Sequence, residues 1–526
     1  MRYFFLLFLL HPFISSAQVH YAGSLDSSFG ANGAAIIANI TANALVVTTD
    51  DKLLVAGADS KGVIVTRYNK DGNIDPIFCV NGTDHIGNVP GYTGCYATCI
   101  LLQPDGKMVI GGAATDTTQN VYTTTHSNYL TMRLMPNGTL DTSFNKTGLV
   151  ITDVYRLQDH IIALALQPDG KIITCGVSVD PIYGSSALTI LIRYNGDGSL
   201  DTTFGNMGKL NAYPGSGATY PTGNAMFLQP DGNIVVGGTE QDEADFYVLL
   251  MRFNTNGTFD VSFGSRGVVK ERLAYWSDGD YPCYSGVNAM QLLPDGKILA
   301  VGSTYGVDTS LDFALVKYNA DGTRDTTFGN DGIIKTNIGD GDIASCIAIE
   351  PDGKIVVAGR AEKPENMQAI ARYNPDGTPD GTFGKGGEVI KLIGTQNTMN
   401  SIQIQSSGKI VLAGNMQTSS GNECGLLVRY QYDENTEGSI NTPGLFDFNI
   451  YPNPTPNGMF TISTQTYKGV ANIQIIDMLG RKAWTGVNDF GTNAKMPVNI
   501  GAYAAGVYDV KIMAGTDVQV VKVVRE

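Results

Sequence analysis

The chain has 526 residues, with 63 glycines, 25 tyrosines and only 16% charged residues; a repeat array must absorb that length unless several ordinary cores do. Its formal net charge of −15 repels phosphate backbones and anionic membrane surfaces, which argues against a nucleic-acid partner. Many glycines and few charges suit short strands joined by tight turns, so an all-β chain with almost no helix is expected.

In chain order, Arg2, the apolar run from Tyr3 to Leu10 and the small residues Ser15, Ser16 and Ala17 read as a signal peptide over residues 1–17. The mature chain then starts near Gln18. The first cysteine is Cys79, too far on for a lipid anchor, and no later segment is long enough to span a bilayer. Seven cysteines without CxxC spacing indicate neither a zinc site nor a full disulfide framework. The best candidates for a bridge are Cys79 and Cys95.

Residues 18–432 are expected to form a seven-bladed β-propeller. A strand, a Pro-Asp-Gly-Lys turn and a second strand recur, with the turn at Asp50, Asp105, Asp169, Asp231, Asp295, Asp352 and Ser407. Strands a and b flank that turn, strand c ends in a basic residue, and an Asn/Asp/Gly turn leads through a Phe into strand d. Six residues before the turn stand Ala44, Cys99, Ala163, Ala225, Ala289, Cys346 and Ser401; six after it stand Ala56, Gly111, Cys175, Gly237, Val301, Ala358 and Ala413. Columns this small imply sheet packed on sheet near an axis, with the cysteines as core fillers. The strand-c bases run from Arg67 to Arg429 and the phenylalanines from Phe29 to Phe383, out of phase by one. Gly23 to Ile37 should therefore supply strand d of the last blade and close the ring. Through the PDGK turn and the N-x-D-G-x-x-D-x-x-F-G hairpin, this region resembles the delta-60 repeat family, which implies the propeller fold and no established chemistry.

Asp433 to Leu445 reads as a linker, and residues 446–526 as a small Ig-like β-sandwich. Tyr451, Pro452, Asn453 and Pro454, then Gly458, Asp477, Gly480, Arg481, Gly506 and Tyr508 occur in order. These motifs resemble the type A sorting domain of the Bacteroidota type IX secretion system. The resemblance implies that the secretion machinery is a partner and that the protein is secreted or held at the outer cell surface.

No catalytic constellation, metal-ligand set or cofactor motif is expected. In each complete blade an Asp follows the strand-c base by eight residues, as in Arg67 and Asp75, which fits a pair across a hairpin better than a calcium loop. Strand a is read as lining the channel, and two residues before the turn it carries one acid, Glu350, among seven positions. Acids from the loops, such as Asp159, Asp340 or Asp342, keep a propeller-type polysaccharide enzyme open as an alternative. The a–b and c–d turns are short and uniform; the d–a and b–c connections, at the other end, are long and varied. Those hold Tyr213, Tyr220, the cluster Glu240 to Tyr247, Tyr275, Trp276, Asp278, Asp280, Tyr281, Tyr284 and Tyr305. Aromatic faces beside carboxylates suit a glycan or protein ligand, so a binding module is the first expectation.

Overall fold

The computed structural model describes residues 22–432 and 448–525, apart from 80, 88, 90, 117–125, 156–157, 180–186, 215–218, 243–244, 274–283, 306–309, 364, 452–454, 456, 465–466, 478–481, 493, 504–505 and 515–516. The expected signal peptide and linker lie outside the described residues. Every regular helix or strand among the described residues is a strand.

Seven four-stranded antiparallel sheets follow one another. With strands a to d in order, blade 1 is Ile40–Val47, Leu53–Asp59, Gly62–Tyr68 and Thr83–Gly87; blade 2 is Tyr92–Leu102, Met108–Asp116, His126–Leu134 and Leu149–Thr152. Blade 3 is Asp159–Leu166, Ile172–Val179, Ala187–Tyr194 and Lys209–Asn211; blade 4 is Thr219–Leu228, Ile234–Asp242, Asp245–Phe253 and Val268–Glu271. Blade 5 is Ser285–Leu292, Ile298–Tyr305, Leu311–Tyr318 and Ile333–Thr336; blade 6 is Ile343–Ile349, Ile355–Glu362, Asn366–Tyr373 and Glu388–Lys391. Blade 7 takes Gln396–Ile404, Ile410–Gln417 and Glu423–Tyr430 from its own repeat and Ala34–Ala38 from the N-terminal segment. The seven a strands touch one another in cyclic order, which makes them the inner wall of a closed ring.

The turn chemistry explains each inner hairpin. At Asp352 the carboxylate accepts the Lys354 N–H at 3.1 Å, and Gly353, at φ 87°, takes the left-handed conformation that side chains resist. The two small columns pair directly, from Ala44 opposite Ala56 to Ser401 opposite Ala413. Just beyond that pair every a strand bulges by one residue. The partner of the bulge is always glycine: Gly57, Gly112, Gly176, Gly238, Gly302, Gly359 and Gly414. A Cβ at any of these would collide with the carbonyl oxygen turned toward it from strand a, as Thr222 O is turned toward Gly238. The bulge thus requires the glycine.

Ring closure occurs as the phase of the repeats requires. Ala34–Ala38 pairs antiparallel with strand c of blade 7, from Ala34 opposite Val428 to Ala38 opposite Cys424. Upstream, Asp26 N donates to Arg429 O and Gly23 N to Gln431 O, each at 2.9 Å. A covered strand edge is removed from the risk of edge-to-edge pairing.

The C-terminal module has a three-stranded sheet, Phe448–Tyr451, Met459–Thr464 and Lys495–Asn499, and a four-stranded one in the order Lys482–Asp489, Val470–Asp477, Gly506–Ala514 and Asp517–Arg525. Phe460, Ile462, Ile473, Phe490, Val510 and Ile512 fill its own core.

Candidate functional site

The repeated acid and base build a clasp between blades. In blade 2, Asp141 Oδ2 accepts from Arg133 Nε at 2.7 Å and pairs with Lys107 of the PDGK turn at 3.2 Å. The guanidinium lies 4.8 Å from the Phe144 ring centroid, a cation–π contact, and its Nη1 donates to Gly196 O of the next blade at 2.5 Å. Burial opposes ionisation of Asp141, but Ser143, Lys107 and Arg133 outweigh it and hold the carboxyl well below its ordinary value. Equivalent bonds run Arg67 to Pro136, Arg193 to Thr255, Arg252 to Ala320, Arg372 to Tyr432 and Arg429 to Lys70. In blade 7 the acid is Asp26, paired with Arg429 at 2.6 Å and Lys409 at 3.0 Å, so the clasp joins residues 403 apart.

A second set of bonds joins the a strands. The bulge residues Asn43, Asn224, Asn288 and Asn400 each donate from Nδ2 to a carbonyl of the neighbouring blade, at 2.8, 2.8, 2.8 and 3.2 Å. Thr98 does the same with its hydroxyl, to Ile161 O at 2.5 Å. The sequence reading missed this layer, although its signal was present: a glycine stands seven residues after the turn position in all seven repeats.

The acids nominated from strand a and its loops serve the frame. Glu350 is not on the channel; it lies buried 3.5 Å from Arg372. Gln229 and Gln405, at the same position in their blades, accept from Arg252 at 3.4 Å and Arg429 at 3.0 Å. Asp159 is fully buried, accepting from the Ser178 hydroxyl and, at 2.9 Å, from Val154 N. Burial, only partly offset by Ser178, pushes it up to about 6. Asp342 likewise caps Ile338 N at 2.5 Å and Gly339 N at 3.0 Å. Asp340 is exposed. Cys79 and Cys95 are not bridged to each other, and Cys79 Sγ donates to Asn137 O at 3.1 Å.

The loop-bearing end carries the aromatic residues. Tyr275, Trp276, Asp278, Asp280 and Tyr281 lie outside the described residues. The residues flanking them come together: the Tyr284 ring is 5.3 Å from Phe246 and 6.3 Å from Tyr305, bridging blades 4 and 5. Burial raises the Tyr284 hydroxyl above its ordinary value, and the neighbouring Tyr305 adds to it. On the opposite face of the blade 4 sheet, the face that packs on blade 3, Tyr247 lies under two cations, Lys270 Nζ at 4.4 Å and the Arg272 guanidinium at 5.2 Å, with Arg272 also donating to the Tyr247 hydroxyl at 2.9 Å. Glu240 and Asp242 hold Lys270 at 3.2 and 2.9 Å, and Asp245 holds Arg272. The two cations at the end of strand d escaped the sequence reading, which followed the tyrosines alone. Tyr213 is 36% exposed on the d–a connection that precedes blade 4, and Tyr220 stands opposite Gln241 in that blade.

Of the sorting motif, Tyr451 is exposed at the end of its strand, Tyr508 is buried opposite Asp477, and Gly506 faces Arg525 in the terminal hairpin. Pro452, Asn453, Pro454, Gly480 and Arg481 lie outside the described residues. Among the described residues no helix is long and apolar enough to cross a membrane.

No curated protein matches the chain. Among solved structures, a fungal alcohol oxidase of the AA5 family in complex with copper is 14% identical with a TM-score of 0.36, covering 93% of this chain and 97% of its own. Polysaccharide lyase Uly1 is 14% identical with a TM-score of 0.44, covering 79% and 94%. Prolyl oligopeptidase B from Galerina marginata is 9% identical with a TM-score of 0.42, covering 82% and 55%. At such scores the likeness carries nothing about chemistry. Family-level matches are specific: a β-propeller domain of unknown function, DUF5122, matches residues 48–78, 103–144, 167–204, 229–263, 293–328, 350–383 and 405–433. A secretion system C-terminal sorting domain matches residues 449–526. The chain is thus a seven-repeat member of the DUF5122 β-propeller family with a type IX secretion sorting domain at its C-terminus, exported for secretion or display at the cell surface.

Proposed function

We propose that this exported propeller is a binding module that takes an extracellular glycan or protein on the loop-bearing end of blades 4 and 5. One observation carries the reading: the two ends of the ring differ in kind. The turn end repeats a clasp of an Asp with a strand-c base in all seven blades, so that end is uniform. The loop end gathers Phe246, Tyr284 and Tyr305 between blades 4 and 5, and carries Tyr247 with its two cations on the other face of the blade 4 sheet. Rings beside paired charges offer apolar area with polar handles, the composition that recognition surfaces favour.

A glycan array probed with the mature protein and with Tyr247→Ala, Tyr305→Ala, Trp276→Ala and Tyr281→Ala tests it. Binding that survives all four substitutions removes the site. Release of reducing sugar from a polysaccharide panel would replace the binding reading with the enzymatic one. We also propose the division into a signal peptide over residues 1–17, a propeller over 18–432, a linker over 433–445 and a sorting module over 446–526. N-terminal sequencing of the secreted form, starting at Gln18, and limited proteolysis confined to the linker are the expected results.

A further inference from the structure

The inner wall changes character along the axis. Three residues before the turn position, every a strand carries a half-buried Val, Leu or Ile, from Val47 to Ile404. Toward the loop end the wall becomes polar and uncharged. The bulge layer holds four asparagines whose Nδ2 groups bridge to the next blade, which leaves each Oδ1 as a spare acceptor. One layer further out, nine residues before the turn, Tyr96 and His160 occupy blades 2 and 3, threonine occupies blades 1, 4 and 7, and Gly286 and Ile343 occupy blades 5 and 6. Neither layer contains a charged residue, in a chain of net charge −15.

Tyr96 and His160 stand at the same register on adjacent inner strands, each one residue before the carbonyl position that the bulge layer bridges. Both are half-buried, and among the described residues neither side chain has a hydrogen-bond partner. Burial holds the His160 imidazole below its ordinary value, so at neutral pH it presents one donor and one acceptor. Half-buried polar groups without partners cost free energy unless water or a ligand meets them. The Thr41 and Thr222 hydroxyls are already bonded to strand b; an aromatic face, a neutral imidazole and the amide oxygens of the bulge layer remain to match a ring of hydroxyl groups. They offer nothing to compensate an anion or an ammonium group.

We infer that the loop-side mouth of the central channel binds the terminal ring of a neutral saccharide, with Tyr96 as its stacking face and His160 as a hydrogen-bonding partner. The site is separate from the aromatic cluster of blades 4 and 5 and does not depend on it. Below it stand the half-buried Val, Leu and Ile residues of the turn side, Val47 to Ile404, so the polar groups are confined to the loop side.

The mature chain retains four histidines, His20, His85, His126 and His160, so histidine Cε1 labelling gives a sparse NMR spectrum in which His160→Gln assigns the reporter. Cellobiose, maltose and digalacturonate are titrated separately, to about 100 mM, since single-ring sites are commonly millimolar. The expected result is a saturable shift of the His160 signal alone with a neutral disaccharide, weakened about tenfold in Tyr96→Ala by loss of stacking. Tyr305→Ala should leave that shift unchanged, which separates failure here from failure of the blade 4–5 site. Tyr96→Phe keeps the ring and guards against a folding defect; it should retain most of the binding. An unmoved His160, a response to digalacturonate alone, or equal binding in Tyr96→Ala overturns the inference.

Discussion

Lys317→Arg should stabilise the protein by completing the one incomplete clasp. In six blades the strand-c base is arginine, and its Nη1 reaches a carbonyl in the next blade. In blade 5 it is Lys317, whose Nζ sits 3.9 Å from Asp325, whereas Arg133 and Arg193 hold their acids at 2.7 Å. It also sits 5.2 Å from the Phe328 centroid, where the arginines lie 4.5 to 4.8 Å from theirs. One ammonium cannot bond the acid, stack on the ring and cross to the next blade together; a planar guanidinium does all three. The acceptor awaiting it is Pro375 O, three residues past Arg372, as Thr255 is three past Arg252. A charge-assisted hydrogen bond is worth about 1.5–3 kcal/mol, less the ordering of the longer side chain, leaving a gain of about 1–2 kcal/mol. In a domain this large that corresponds to a Tm rise of only about 1–3 °C, so chemical denaturation is the better assay. Arg252→Lys is the matched control and should lose a similar amount. A neutral Lys317→Arg beside a destabilised Arg252→Lys would show that the 5–6 junction is built differently; neutrality of both would refute the clasp as a source of stability.

Gly238→Ala places a Cβ against the Thr222 carbonyl oxygen, a backbone clash that the sheet cannot relieve, and should cost about 3 kcal/mol or more in denaturant unfolding. Cys79 holds φ 46° at a position occupied by glycine in five other blades, so Cys79→Gly should gain about 0.5–1 kcal/mol, read as a raised denaturation midpoint. Burial, opposed by Arg372, pushes Glu350 up to about 8 from 4.5; the folded form therefore binds the proton more tightly, and stability falls as pH rises from 4.5 to about 8. Glu350→Gln should flatten that slope and be the more stable form above pH 8, as unfolding curves across the range would show. Deleting residues 18–37 removes the outer strand of blade 7 and the acid Asp26, and a thermal midpoint unchanged within about a degree would contradict closure by that segment.

The ring was legible because its information repeats. Seven copies of one turn fix the blade count, the paired small columns fix the hairpin register, and the phase slip between Arg429 and Phe29 fixes the closing strand. The inner wall was not legible, since a one-residue bulge inverts which side chains face which neighbour. Glu350, Gln229 and Gln405 lie on the turn side of that bulge, at the end of strand a, where they meet the strand-c arginines rather than the channel. The polar layer of the inner strands is the bulge itself, at Asn43, Asn224, Asn288 and Asn400. At the loop end, sequence located the tyrosines but not the meeting of Tyr284 with Phe246, because contacts between blades depend on loop paths that no period describes.

The same bonding explains how the chain can carry a sorting module without depending on it. The last clasp acceptor is Tyr432 O, taken by Arg372, and the ring-closing pairs use Gly23, Asp26 and Ala34–Ala38 on one side and Arg429 to Gln431 on the other. Among the described residues, the junctions between blades are made by residues between 22 and 432. The sandwich fills its core from its own strands, with Phe448 and Val523 at its two ends. Among the described residues the last one bonded into the ring is Tyr432, and a cut before it removes a bond that holds blade 6 to blade 7. A propeller separated from the module after Tyr432 is therefore expected to keep both its clasped end and its loop-bearing end, with an unfolding midpoint unchanged from that of the full chain.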